Sequence, residues 1–168
     1  MDHDQLQEIQ RPLKDRYRED ADAAKIRLHA KGDLGDGISC SVDTGRRMVE
    51  AGLHPATGGT GMLACSGDML LQALVACAGV TLQAVATSLG FNVRGGTVSA
   101  SGLFDARGTL GVDREASVGL EDIQLRFDLD ADLDEEQRAS LLKLTERYCV
   151  VLQTLRSTPT VTASLAVA

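Results

Sequence analysis

Apolar residues crowd into one stretch, SGDMLLQALVACAGVTLQAVATSLG at 66–90, and from Met69 to Val93 no Asp, Glu, Lys, Arg or His interrupts the run. Ser66 and Asp68 suit a helix N-cap and Gly90 suits a left-handed stop, so the spacing predicts one long helix. Leu70, Leu74, Cys77 and Thr81 fall on one face; Leu71, Val75, Ala78, Leu82, Val85 and Leu89 line another. A helix that is apolar nearly all round needs cover on nearly all sides. The run is also long enough to span a bilayer. It nonetheless carries Gln72, Gln83, Thr81, Thr87 and Ser88 and lacks basic flanks and an aromatic belt, which favours a buried helix and no membrane partner.

The flanking segments supply amphipathic cover. Lys25–Lys31 and Ile38–Asp43 alternate with period two and predict a hairpin across a GDLGDG turn at 32–37. Residues 46–52 fit a strand or a turn of helix, and 53–62 form a loop that contains His54. Val93–Leu103 and Phe104–Thr109 predict one or two strands. Ile123, Leu125, Phe127 and Leu129 alternate with Gln124, Arg126 and Asp128, the mark of a strand with one wet face. Asp134-Glu135-Glu136 opens a second helix, whose apolar period runs from Leu141 to Leu155 with Cys149 inside it. Pro159 stops it, and Val161, Ala163, Leu165 and Val167 predict a last strand. Residues 1–24 are charged and helix-prone around a break at Pro12 and form an arm; residues 25–168 form one α+β domain.

Composition narrows the function. The 168 residues carry a net charge of −7 and only 3% aromatic side chains, which leaves no basic field or stacking platform for nucleic acid. Cys40, Cys65, Cys77 and Cys149 show no C-x-x-C pair, and His3, His29 and His54 are scattered, so no metal site is expected. The start MDHDQLQEIQ is polar and acidic, unlike a secretion signal. A cytoplasmic, reducing compartment and free thiols follow as expectations.

A buried cysteine is most simply a small hydrophobe. Cys77 and Cys149 also admit a redox reading. A thiolate attacks the O–O bond of a peroxide, a second cysteine condenses with the resulting sulfenic acid, and an external dithiol restores both. This requires two cysteines close in space and a group that holds the thiolate. Cys65 precedes Cys77 by 12 residues. Along a helix that is roughly 15–18 Å, too far for a disulfide within one chain. Cys149 meets the requirement if the two helices pack together.

The segments GGTGMLACSGDMLLQALVACAGVTL (58–82) and ERYCVVLQTL (146–155), with the order of elements around them, resemble the OsmC/Ohr family of osmotically inducible and organic hydroperoxide resistance proteins. The resemblance covers residues 25–168. It implies an OsmC-like fold with antiparallel sheets around two central helices, an intertwined homodimer, and thiol-dependent reduction of organic hydroperoxides. Cys77 and Cys149 fall on the family's two catalytic cysteines. The only co-reactant implied is an external dithiol. Two features depart from the family pattern. Cys149-Val150-Val151-Leu152 lacks the Cys-Pro-x-Ser signature, and the helix-start acid falls on Gly67, with Asp68 one place later. Asp68, Arg46 and Arg47 are the candidate substrate-binding residues, the two arginines by location only. The alternative is an OsmC-like dimer that binds a small apolar molecule without peroxidase turnover. A third reading is an assembly role for the acidic arm.

Overall fold

A computed structural model describes residues 48–167, the backbone of two short strands at 32–34 and 39–43, and helical residues 3–5, 7–8, 10–11 and 19. Arg46, Arg47, the predicted strand at 25–31 and most of the arm lie outside the described residues. Strands β1 (Gly32–Leu34), β2 (Ser39–Asp43), β3 (Met48–Gly52) and β4 (Ala64–Cys65) form a sheet in that order. β1–β2 and β2–β3 are antiparallel, while β3–β4 is parallel. β1 and β2 form a hairpin whose first described strand, Gly32–Leu34, lies inside the expected turn at 32–37, while the expected first strand at 25–31 lies outside the described residues. Ladder bonds come from the backbone, so a glycine-containing segment pairs as readily as an alternating one once Leu34 faces Cys40 in register.

Helix α1 (Ser66–Leu89) follows β4 directly. Gly90 ends it in the left-handed conformation at φ 71°, where a side chain would be strained. Leu74, Ala78, Leu82, Val85 and Ala86 form its buried stripe, which draws on both of the apolar faces seen in the sequence. The helix is apolar nearly all round, but among the described residues its buried stripe lies on one side, and Val80 is 73% exposed.

The cover comes from a long antiparallel ribbon and a second helical pair. β5 (Val93–Leu103) pairs with β6 (Glu121–Ala131), with Val98 opposite Phe127 and Ala100 opposite Leu125. Their inward residues pack on α1. The outward face carries the ion pairs Arg94–Asp130 and Arg126–Asp128. Gly96 has φ 147°, and a Cβ there would stand 2.4 Å from the carbonyl oxygen of Asp128. Residues 106–109, read as possible strand, are instead the short helix α2 (Ala106–Thr109). Asp105 caps it by accepting the Arg107 N–H at 3.0 Å, which competes with extension of β5.

Helix α3 (Glu135–Tyr148) opens with a reciprocal capping box between Asp134 and Gln137. Leu141 packs near Leu82, Val85 and Ala86, and Cys149 packs near Leu74 and Ala78, so α1 and α3 run antiparallel. The helical period predicted through Arg156 is broken at Cys149. That residue is extended (φ −72°, ψ 107°) between α3 and α4 (Val150–Arg156). The break forfeits little hydrogen bonding. The Cys149 N–H still donates to the Thr145 carbonyl at 3.0 Å, and its own carbonyl accepts from the Gln153 N–H at 2.9 Å. Residues 158–167 form no strand, contrary to the alternation there. Val161, Leu165 and Val167 are 83–90% exposed, and among the described residues the segment joins neither sheet.

Candidate functional site

The break after α3 turns the start of α4 toward the middle of α1. Cys149 is completely buried among Leu74, Ala78 and Leu152, with Cys77, Val98 and Ile123 packed around this cluster. Cys77 is half-buried and packs against the cluster that holds Cys149. Both are free thiols. The fold therefore brings the two cysteines, 72 residues apart in sequence, into one side-chain cluster.

The surroundings push the two thiols in opposite directions. Burial raises Cys77, but four donors outweigh it: the Val151 N–H, the Cys149 thiol, the Val150 N–H and the Thr81 hydroxyl. The net result lies below the ordinary thiol range. Cys149 is raised above its ordinary range, first by burial and then by the neighbouring Cys77, against partial relief from the Leu152 and Val151 N–H groups. The surroundings thus favour the thiolate more at Cys77 than at Cys149. The donors that hold Cys77 are all neutral, and three of the four belong to the α3–α4 junction.

That junction is braced from outside. Arg156 reaches back across the break to Glu146 at 3.0 Å, and the Gln153 side chain donates to the Glu146 carbonyl at 2.8 Å. These contacts fix the orientation of the short α4 and with it the aim of its first N–H groups.

The remaining candidates lie elsewhere. Asp68 is exposed on the first turn of α1, and Cys65 precedes that turn as an N-cap without a side-chain capping bond. Both line a cavity of about 620 Å³ bounded by Leu53, His54, Leu71 and Phe104. Asp68 is nine residues before Cys77, about 13 Å along the helix, so it does not touch the thiol pair within this chain. His54 accepts the Ala56 N–H on Nδ1 at 3.0 Å and packs edge-on to Phe104, a hydrogen-bonded loop histidine as expected. No group of His, Cys, Asp and Glu able to hold a metal occurs among the described residues.

Thr81 shares the Cys77 face in the sequence, and its i+4 spacing was the available sign of its contact with the thiol. The Val150 and Val151 donors carry no side-chain signature at all.

The OsmC family pattern, described as OsmC-like protein, matches residues 59–164. The chain belongs to the OsmC-like family. Solved relatives share the fold at low identity. The OsmC-like protein of Mycoplasma pneumoniae superposes with a TM-score of 0.67 at 16% identity, covering 80% of this chain and 90% of that one. An organic hydroperoxide resistance protein of Legionella pneumophila gives 0.56 at 15%, covering 78% and 90%. A putative organic hydroperoxide resistance protein of Vibrio cholerae, with captopril bound in one of its active sites, gives 0.57 at 14%, covering 80% and 88%. Comparison with curated protein sequences gives no match. Within the OsmC-like fold described above, Cys77 lies at mid-helix in α1 and Cys149 at the start of α4.

Proposed function

We propose that this OsmC-like protein is a thiol-dependent peroxidase that reduces organic hydroperoxides through Cys77 and Cys149. The observation that carries this is the packing of Cys77 against the cluster that holds Cys149, with the Cys77 thiol lowered and the Cys149 thiol raised. In the first step the Cys77 thiolate attacks the outer peroxide oxygen. An S–O bond forms, the O–O bond breaks, and the alkoxide leaves and takes up a proton as the alcohol. In the second step the Cys149 sulfur displaces the hydroxyl of the Cys77 sulfenic acid, releasing water and forming the disulfide. An external dithiol then reduces the disulfide, and no further cofactor is required. The apolar lining of Leu74, Val98 and Ile123 favours an alkyl hydroperoxide over hydrogen peroxide. Relatives from Legionella and Vibrio named for organic hydroperoxide resistance support the same substrate class.

The working unit is a homodimer in this reading. The uncovered side of α1 and the exposed alternation at 161–167 are the surfaces a second copy would bury. A reducing, cytoplasmic location would keep the pair in its active form.

The test is consumption of cumene hydroperoxide in the presence of dithiothreitol. Cys77→Ser is expected to abolish turnover, and Cys149→Ser to leave Cys77 oxidised without a disulfide. Full activity in Cys77→Ser would refute the mechanism. A second reading draws on the cavity beside Asp68 and Cys65: an OsmC-like protein that holds a small apolar molecule there without turnover. It predicts ligand binding that is insensitive to Cys149→Ser and no loss of peroxide.

A further inference from the structure

Thr145 is fully buried, and its hydroxyl oxygen has no hydrogen-bond partner among the described residues. A threonine inside a helix has a ready alternative, donation to the carbonyl four residues back. Other hydroxyls in this molecule take it. Thr87 donates to the Gln83 carbonyl at 2.8 Å, Thr154 to that of Val150 at 2.9 Å, and Ser157 to that of Gln153 at 2.6 Å. Thr145 does not, and leaves a hydroxyl desolvated without compensation.

Its position on α3 locates that hydroxyl. Leu141 and Cys149 lie one turn to either side of Thr145, on the same stripe. Leu141 packs near Leu82, Val85 and Ala86, while Cys149 packs near Leu74, Ala78 and Cys77. Thr145 thus stands against α1 between these two sets, at the level of Thr81, whose hydroxyl hydrogen-bonds the Cys77 thiol.

We propose that the Thr145 hydroxyl is the seat for the oxygen that Cys77 carries as a sulfenic acid. The inference rests on the peroxidase reading. The reduced thiolate already has its donors. Attack on ROOH adds an S–OH group and releases ROH, which brings a new donor and acceptor into an apolar pocket where an unpaired polar atom is costly. Thr145 offers an unused donor and unused acceptor capacity on the same buried stripe, one turn from Cys149. The orphan of the reduced state is satisfied in the oxidised one, and the sulfenic acid is held until Cys149 attacks.

The experiment follows the sulfenic acid in Cys149→Ser protein, which cannot close the disulfide. One equivalent of cumene hydroperoxide is added, and Cys77–SOH is trapped with dimedone at increasing delays and quantified by mass spectrometry. Adding Thr145→Val is expected to shorten the sulfenic acid lifetime about tenfold. It should leave iodoacetamide alkylation of reduced Cys77 and its pH profile unchanged. Thr145→Ser should restore the lifetime, and Thr145→Ala should repeat the loss if valine disturbs packing. Equal lifetimes with and without the hydroxyl, in protein that unfolds at the same urea concentration, would overturn the proposal, because a purely structural hydroxyl predicts that result. Absence of any sulfenic acid with Thr145 intact would instead overturn the peroxidase reading, and the inference with it.

Discussion

Replacing Val150 by proline is the sharpest probe of how the Cys77 thiolate is held. Val150 is the first residue of α4, the helical position where proline is favoured. The residue before a proline must be extended, and Cys149 already is, with φ −72° and ψ 107°. The substitution should therefore keep the fold and delete one N–H donor to Cys77, leaving Val151, Thr81 and the Cys149 thiol in place. A hydrogen bond to a charged group contributes about 1.5–3 kcal/mol. Sulfur is a weak acceptor and the other donors remain, so the low end applies, about a tenfold smaller thiolate fraction below the midpoint. Nucleophilicity recovers part of this, because a more basic thiolate attacks faster. With a Brønsted slope of about 0.45 the recovery is about threefold.

The assay is iodoacetamide alkylation resolved to the Cys77 peptide across a pH series. Val150→Pro should alkylate about threefold more slowly at neutral pH and about threefold faster on the alkaline plateau, with the midpoint moved up. Crossing profiles are the signature, since a general loosening of the site would speed alkylation at every pH. Profiles that superimpose would refute the role assigned to the Val150 N–H.

Glu146→Gln should cost less than about 1 kcal/mol in urea denaturation, because the pair with Arg156 is exposed; it should nonetheless shift the Cys77 alkylation profile to higher pH, since the brace on α4 is weakened. Leu74→Ala empties a fully buried position beside the thiols and should cost about 2–5 kcal/mol in the same measurement. Gly96→Ala should cost about 1–3 kcal/mol, its Cβ meeting the Asp128 carbonyl at a φ of 147°; wild-type stability in this variant would count against that close approach.

The main elements can be read from periodicity alone. Period two marks β6, helical period marks α1 and α3, and Gly90 and Asp134 mark boundaries where the structure has them. The failures have physical causes. The sequence holds no glycine or proline near Cys149, because the break leaves both hydrogen bonds of that residue in helical partnership and needs no special backbone. The alternation at 161–167 is a strand signal, but a strand needs a paired neighbour, and this segment joins neither sheet among the described residues. At the site, Cys77 and Cys149 are legible as residue types, as is Thr81 on the same face. The donors that set the thiol order are main-chain N–H groups, which any residue but proline supplies. The candidates Arg46 and Arg47 lie outside the described residues, and Asp68 belongs to the cavity at the start of α1.

The departure from the Cys-Pro signature acquires a chemical sense at this point. Proline after the second cysteine would leave the first position of α4 without an N–H. Valine supplies one, and it is aimed at Cys77. Cys149 is completely buried beside it, and burial raises its thiol. The local distortion therefore lowers Cys77, while burial raises Cys149. A continuous helix through residue 156 would bond the Val150 and Val151 N–H groups to carbonyls one turn back. Neither would then reach Cys77, and burial would push both sulfurs upward. If that is how the pair is ordered, the effect of Val150→Pro should be confined to Cys77, with Cys149 as slow to alkylate as before.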